Sequence, residues 1–228
     1  MSNIFKTSIG KKLLMSLTGL CLILFLLFHM SMNIVSLISE NTYNAICIFL
    51  GAHWYALVGT VFLATGFAIH IIYALWLTLS NRKARGNSGY AISVKPKNVS
   101  WASQNMFVLG LIVILGLILH LMQFWYKMQF AEILGNQQSC ICGKMIDVGN
   151  GIEFIKYYFS NILIVAVYLV WFAALWFHIS HGFWSALQTI GLNNQKWFPR
   201  LKFIAKIFAT FICIGFSAVV TVFYLKSL

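Results

Sequence analysis

Acid is what this sequence most nearly lacks. Of 228 residues only four are Asp or Glu, and Glu40, Glu132, Asp147 and Glu153 all lie between long apolar runs or at their ends. That scarcity counts against a proton-coupled carrier working through buried carboxylates, which needs acids at membrane depth. Only two prolines occur, Pro96 and Pro199, and both fall in basic, turn-rich stretches. Five cysteines are present, but Cys140 and Cys142 form a lone C-x-C without the second pair that a structural zinc site requires.

What fills the chain instead is apolar: 61% of residues are hydrophobic and 9% charged, with a mean hydropathy of +0.85. A water-soluble domain of this length needs a polar outer face that such a composition does not supply. Five apolar runs, at about 13–38, 54–80, 101–126, 157–188 and 203–226, are each long enough to cross roughly 30 Å of hydrocarbon as a helix. The expectation is an all-α integral membrane protein, a single five-helix bundle over 1–228. The first run follows Lys11 and Lys12 as a signal peptide's would, but it is too long and lacks a small-x-small cleavage site, so it reads as a retained helix. The connection from Lys127 to Lys156 is the one long enough to fold into a small cap.

The formal charge of +12 is strung between the apolar runs rather than gathered in one module, which argues against a nucleic-acid partner. With the amino terminus inside, every Lys and Arg except Lys127, Lys144, Lys156 and Lys226 falls on the inner side. Basic residues decide topology, so the amino terminus is expected in the cytoplasm and the carboxyl terminus outside. Arg82, Lys83, Arg85, Gly86, Gly89, Lys95 and Pro96 mark one inner loop, and Lys196, Pro199, Arg200 and Lys202 the other. Trp54, Trp101, Trp125 and Trp197 sit near span ends, where indole rings favour the headgroup layer.

Six histidines remain. His53 begins the second span and reads as interfacial, whereas His29, His70, His120, His178 and His181 lie inside apolar segments, where an ionisable group marks function by default. A buried imidazole can also simply bond across helices. Depth separates these readings. His29 and His120 come late in helices running outward, and His70 and His178 late in helices running inward, so a rise of about 1.5 Å per residue puts each pair at one level. Two level pairs on four helices, roughly 10–15 Å apart along the normal, match two bis-histidine b haems, each iron taking axial nitrogens from opposite faces. His178 and His181 are neighbours on one helix face, and spacing alone lets either ligate. No C-x-x-C-H occurs, which excludes covalent haem, and no helix carries two histidines about four turns apart as in the cytochrome b of quinol-oxidising complexes.

Lys11, Lys12, the opening Ser16-Leu-Thr-Gly19, the run Phe28-His-Met-Ser-Met-Asn33, the pairs Ile69-His70 and Leu119-His120, and Phe177-His-Ile-Ser-His-Gly-Phe-Trp-Ser185 carry a resemblance over the whole chain. The chain resembles the single-chain, two-haem cytochrome b anchors of bacterial succinate dehydrogenases and fumarate reductases. That resemblance implies ligation of an outer haem by His29 and His120 and of an inner haem by His70 and His178. His181, where similar chains can have asparagine, is left as a neighbour able to donate to a haem propionate. It further implies flavoprotein and iron-sulphur subunits on the cytoplasmic face, menaquinone in the bacterial inner membrane, and dicarboxylate chemistry on the partner, this chain only passing electrons. Some relatives move protons through a glutamate on the fourth helix, but Trp176 and Phe177 precede His178 here. Glu40, His53, Gln123 and Tyr126 are candidates for quinone contact near the outer haem, with interfacial polarity as their alternative reading. A cytochrome b serving a hydrogenase or formate dehydrogenase, or a histidine-lined transporter, are the competing readings.

Overall fold

The computed structural model describes residues 7–85, 100–192 and 194–228, so Lys6 and the loop carrying Gly86, Gly89, Lys95 and Pro96 lie outside the described residues. Five helices in it are long and apolar enough to cross a membrane. Helix α1 (Ser8–Ile38) starts where Thr7 accepts a hydrogen bond from the Gly10 amide at 3.0 Å, satisfying one of the amide donors a helix start leaves open. It ends at Ser39, whose extended backbone breaks the helix and whose hydroxyl then caps α2 (Glu40–Phe49). Helix α3 (Trp54–Arg85) returns across the bundle.

The next crossing is made in three pieces. A single turn, α4 (Trp101–Gln104), is capped by Ser100; Asn105 interrupts it before α5 (Met106–His120), and a π-helical turn follows over Leu121–Trp125. Beyond it come α6 (Gln129–Ile133), a hairpin of β1 (Gln138–Ile141) and β2 (Lys144–Asp147), and α7 (Gly151–Phe159). The hairpin is antiparallel with Cys140 opposite Met145 and Ile141 opposite Lys144. Its two turn residues, Cys142 and Gly143, have φ of 46° and 86°, the positive values that a tight two-residue turn matching the strand twist requires.

Helices α8 (Ile162–Thr189) and α9 (Trp197–Leu225) complete the bundle. The fourth apolar run is therefore not one helix. Asn161, in extended conformation, accepts from the Leu163 amide at 2.9 Å and starts α8 afresh, so Tyr157–Phe159 belong to the cap. Hydropathy misses the break because α7 is buried too: Phe154, Ile155, Tyr158 and Phe159 are covered by protein rather than lipid. The cap also contains α2, which the sequence reading left as a connection. Asn44 joins the two halves, donating to Asn150 at 2.9 Å and accepting from the Ile152 amide at 3.0 Å, while Lys156 meets Glu40 at 2.7 Å.

The cap and all four acids lie at one end, and the described basic stretches at the other. These are called the cap end and the basic end below. In the core, Met30 of α1 presses on Gly215 of α9, where a side chain would collide with its sulphur, and Ile212, Val220 and Phe223 are fully buried beside it. Elsewhere Val61, Phe62 and Ile214 face outward, as lipid contact demands. Trp54, Trp101 and Trp197 are exposed at helix starts, but Trp125 instead turns to donate to Gln129 at 2.8 Å.

Candidate functional site: two tiers of paired histidines

Four helices bring four imidazoles together in two pairs. His29 of α1 and His120, the last residue of α5, have ring centres 5.8 Å apart at 78°. His70 of α3 and His178 of α8 have ring centres 6.4 Å apart at 68°. Two imidazoles sharing one metal at roughly 2.0–2.1 Å per nitrogen hold their ring centres about 6 Å apart.

The basic-end pair is backed by glycine. A β-carbon on Gly19 would lie 3.2 Å from Cε1 of His70, and one on Gly110 would lie 3.6 Å from Cε1 of His178. These contacts fix the tier spacing twice over. Gly19 precedes His29 by ten residues on α1, and Gly110 precedes His120 by ten on α5, so each helix independently sets the tiers about 15 Å apart.

Hydrogen bonds select which ring nitrogen is free. The Thr18 hydroxyl donates to the Leu14 carbonyl at 2.8 Å, which leaves its oxygen to accept from His70 Nδ1 at 3.3 Å. With the proton on Nδ1, Nε2 carries the lone pair a metal needs. At the cap-end pair, Tyr168 donates to Gln123 Oε1 at 2.8 Å, and its oxygen stands 3.5 Å from His120 Nδ1. Phe25 stacks on His29, and Phe124 and Trp171 lie against His120. Nδ1 of His178 is buried without a hydrogen-bond partner among the described residues.

The four helices pack on one another unevenly. Helix α3 packs on α1, α1 on α8 and α8 on α5, but α3 and α5 touch each other little. Among the described residues, the Arg82 guanidinium of α3 lies 5.0 Å over the Phe107 ring of α5, and Thr60 of α3 donates at 2.8 Å to Gln129 of α6. Among the described residues no three His, Cys, Asp or Glu side chains gather as a protein-only metal cage. A metal held here would have two imidazoles per tier and would need its remaining ligands from outside the described residues. At the basic end Lys11 lies 3.9 Å over the Trp76 ring and Lys202 4.1 Å over the Phe198 ring.

Apart from His181 and Gln123, the other sequence candidates are engaged away from these pairs. His181 sits edge-on to Trp184 at 5.0 Å, near Lys202, with its own Nδ1 buried and without a hydrogen-bond partner among the described residues. His53 stacks on Tyr55, Glu40 pairs with Lys156, and Tyr126 stacks on Phe130; of the quinone candidates only Gln123 reaches a histidine tier. Cys140 and Cys142 are free and exposed on the hairpin. The Cys142 thiol, hydrogen-bonding to Tyr157, pushes that phenol's pKa up.

Gly110, Tyr168 and Trp171 have no part in the sequence reading, and Gly19 and Thr18 appear there only within a motif. One signal was available: the same Gly-to-His interval on both helices that run toward the cap. No protein-family model, curated protein or solved structure matches this chain, so the site is interpreted from its own geometry.

Proposed function

We propose that this chain is the di-haem cytochrome b membrane anchor of a succinate:quinone oxidoreductase, succinate dehydrogenase or fumarate reductase. The observation that carries the reading is the pair of imidazole pairs, at 5.8 Å and 6.4 Å, on four apolar helices. Haem b would supply one-electron storage at each tier. His70 and His178 would hold the inner group and His29 and His120 the outer one, with Thr18 behind His70 leaving Nε2 free to ligate. Two tiers about 15 Å apart along the helix axes span much of a hydrocarbon layer of roughly 30 Å, and so provide stepping points across it.

The bias of Lys and Arg toward the basic end supports a cytoplasmic orientation for that end, with the cap outside, and the reading sets the chain in a bacterial inner membrane. Flavoprotein and iron-sulphur subunits dock at the basic end, where dicarboxylate chemistry occurs outside this chain. Menaquinone exchanges electrons within the membrane.

The test is a redox-resolved absorption spectrum of the purified complex with its subunits identified. Two b-type components and a covalent-flavin partner are expected, whereas a nickel or molybdenum partner assigns the chain to another dehydrogenase. His70→Ala and His178→Ala should delete one component, and His29→Ala and His120→Ala the other. Loss of the same component in His29→Ala and His70→Ala would break the pairing.

A further inference from the structure

We infer that Tyr168, held by Gln123, is a positioning residue for the cap-end pair, its phenol oxygen accepting a hydrogen bond from His120 Nδ1–H so that Nε2 is the nitrogen left to ligate. The inference rests on the haem reading above and adds to it a residue pair that decides how one ligand is presented.

Four observations converge. Tyr168 is only 2% exposed and Gln123 9%, two polar side chains buried in the most apolar part of the chain. They satisfy one another through the 2.8 Å bond from the phenol to Oε1. That bond commits the phenol's single hydrogen, so toward His120 Nδ1, 3.5 Å away, the oxygen can only accept. The ring of Tyr168 also stands edge-on to His120, with centres 6.3 Å apart at 69°.

A further observation is in the backbone. Directly after His120 the helix widens into a π turn closed by Tyr126 N donating to the Leu121 carbonyl at 2.8 Å. π turns cost helical regularity and cluster where a side chain must be re-aimed. Here Leu121 and Met122 stay exposed while Gln123 is turned inward to Tyr168. A Phe and a Leu at these positions would pack as well without burying polar groups, so packing alone gives no reason for the pair. The basic-end pair does the same task differently, with Thr18 on α1 acting on His70. The two tiers therefore have different acceptors behind their ligands, a phenol at one and a threonine hydroxyl at the other.

The experiment uses the intact complex and compares wild type with Tyr168→Phe and Gln123→Leu. Each variant should keep both b-type components while shifting the midpoint potential and low-spin electron paramagnetic resonance signal of the cap-end component alone. Haem transfer from that tier to excess apomyoglobin should speed up on the order of tenfold, the usual effect of removing a partner behind a metal ligand. Should one variant fail to assemble, the other gives the same readout. Unchanged potential and release in an assembled variant, or equal shifts of both components, overturn the inference while leaving the haem reading intact. A wild-type complex without two b-type components sinks the haem reading itself and this inference with it.

Discussion

Gly19 faces His70 so closely that a β-carbon there would meet the ring at 3.2 Å. The ring has little room to give on that side, because Thr18, the next residue along, holds its Nδ1. Gly19→Val is therefore expected to displace His70 and remove the basic-end spectral component, about half the bound haem, with the cap-end component retained. Gly110→Ala, whose β-carbon meets His178 at an ordinary 3.6 Å, should retain both. Absorption spectra of the two purified variants decide the matter, and equal haem content in both would count against the site.

Gly116 lies beneath Trp171, with no space for a side chain between helix and indole, while the indole nitrogen donates to the Val113 carbonyl at 3.0 Å. Gly116→Val should push Trp171 off α5 at a cost of about 1–3 kcal/mol, as overpacking generally does. Thermal melting in detergent, read beside the cap-end haem signal, is the measurement. An unchanged melt would show that Trp171 is free to move.

In the cap, Asn150 accepts from the Glu153 amide at the start of α7 and also receives the Asn44 amide. Losing a helix cap costs about 1 kcal/mol, and here the bridge to α2 is lost with it. Asn150→Ala should therefore destabilise the cap clearly more than Glu40→Ala, since the Glu40–Lys156 ion pair is half exposed on both sides and such pairs are worth roughly 0–1 kcal/mol. Proteolysis between α2 and α7 reports the difference, and the reverse order would refute it.

Cys47 gives the cap a pH dependence. Burial pushes its thiol up from 9.0 to about 11, against smaller opposing effects of Tyr43 and the Gly151 backbone. The folded cap thus holds this proton more tightly than the unfolded chain, so the stabilisation is complete below about pH 9 and is lost as pH rises through 9 to 11. At pH 8, maleimide should label exposed Cys140 and Cys142 at least tenfold faster than Cys47, because the thiolate is the reacting form. Mass spectrometry of the labelled chain checks this, and equal rates would contradict it.

The five crossings are legible in the sequence because an apolar run of about 20 residues has few soluble interpretations. What is not legible is who covers an apolar surface. The apolar end of α7 runs directly into the helix that follows it, yet Phe154 is buried by protein where Val170 faces outward, and the Asn161 cap separates the two. Histidine levels can be counted from helical rise, since that needs only residue numbers and direction. The azimuth of a side chain needs the packing itself, which is why Gly110 and Tyr168 stand out only once α5 and α8 are side by side. The π turn after His120 is a further case, for nothing in Leu-Met-Gln-Phe-Trp distinguishes it from ordinary helix.

Among the described residues, helix α3 packs mainly on α1, and it meets the opposite side of the bundle through Thr60 with Gln129 of α6 and Arg82 with Phe107 of α5. Little of the described protein covers this helix, so in a membrane most of its surface would meet lipid. Were haem bound as proposed, it would give α3 a second support, and resistance to proteolysis should rise with haem content.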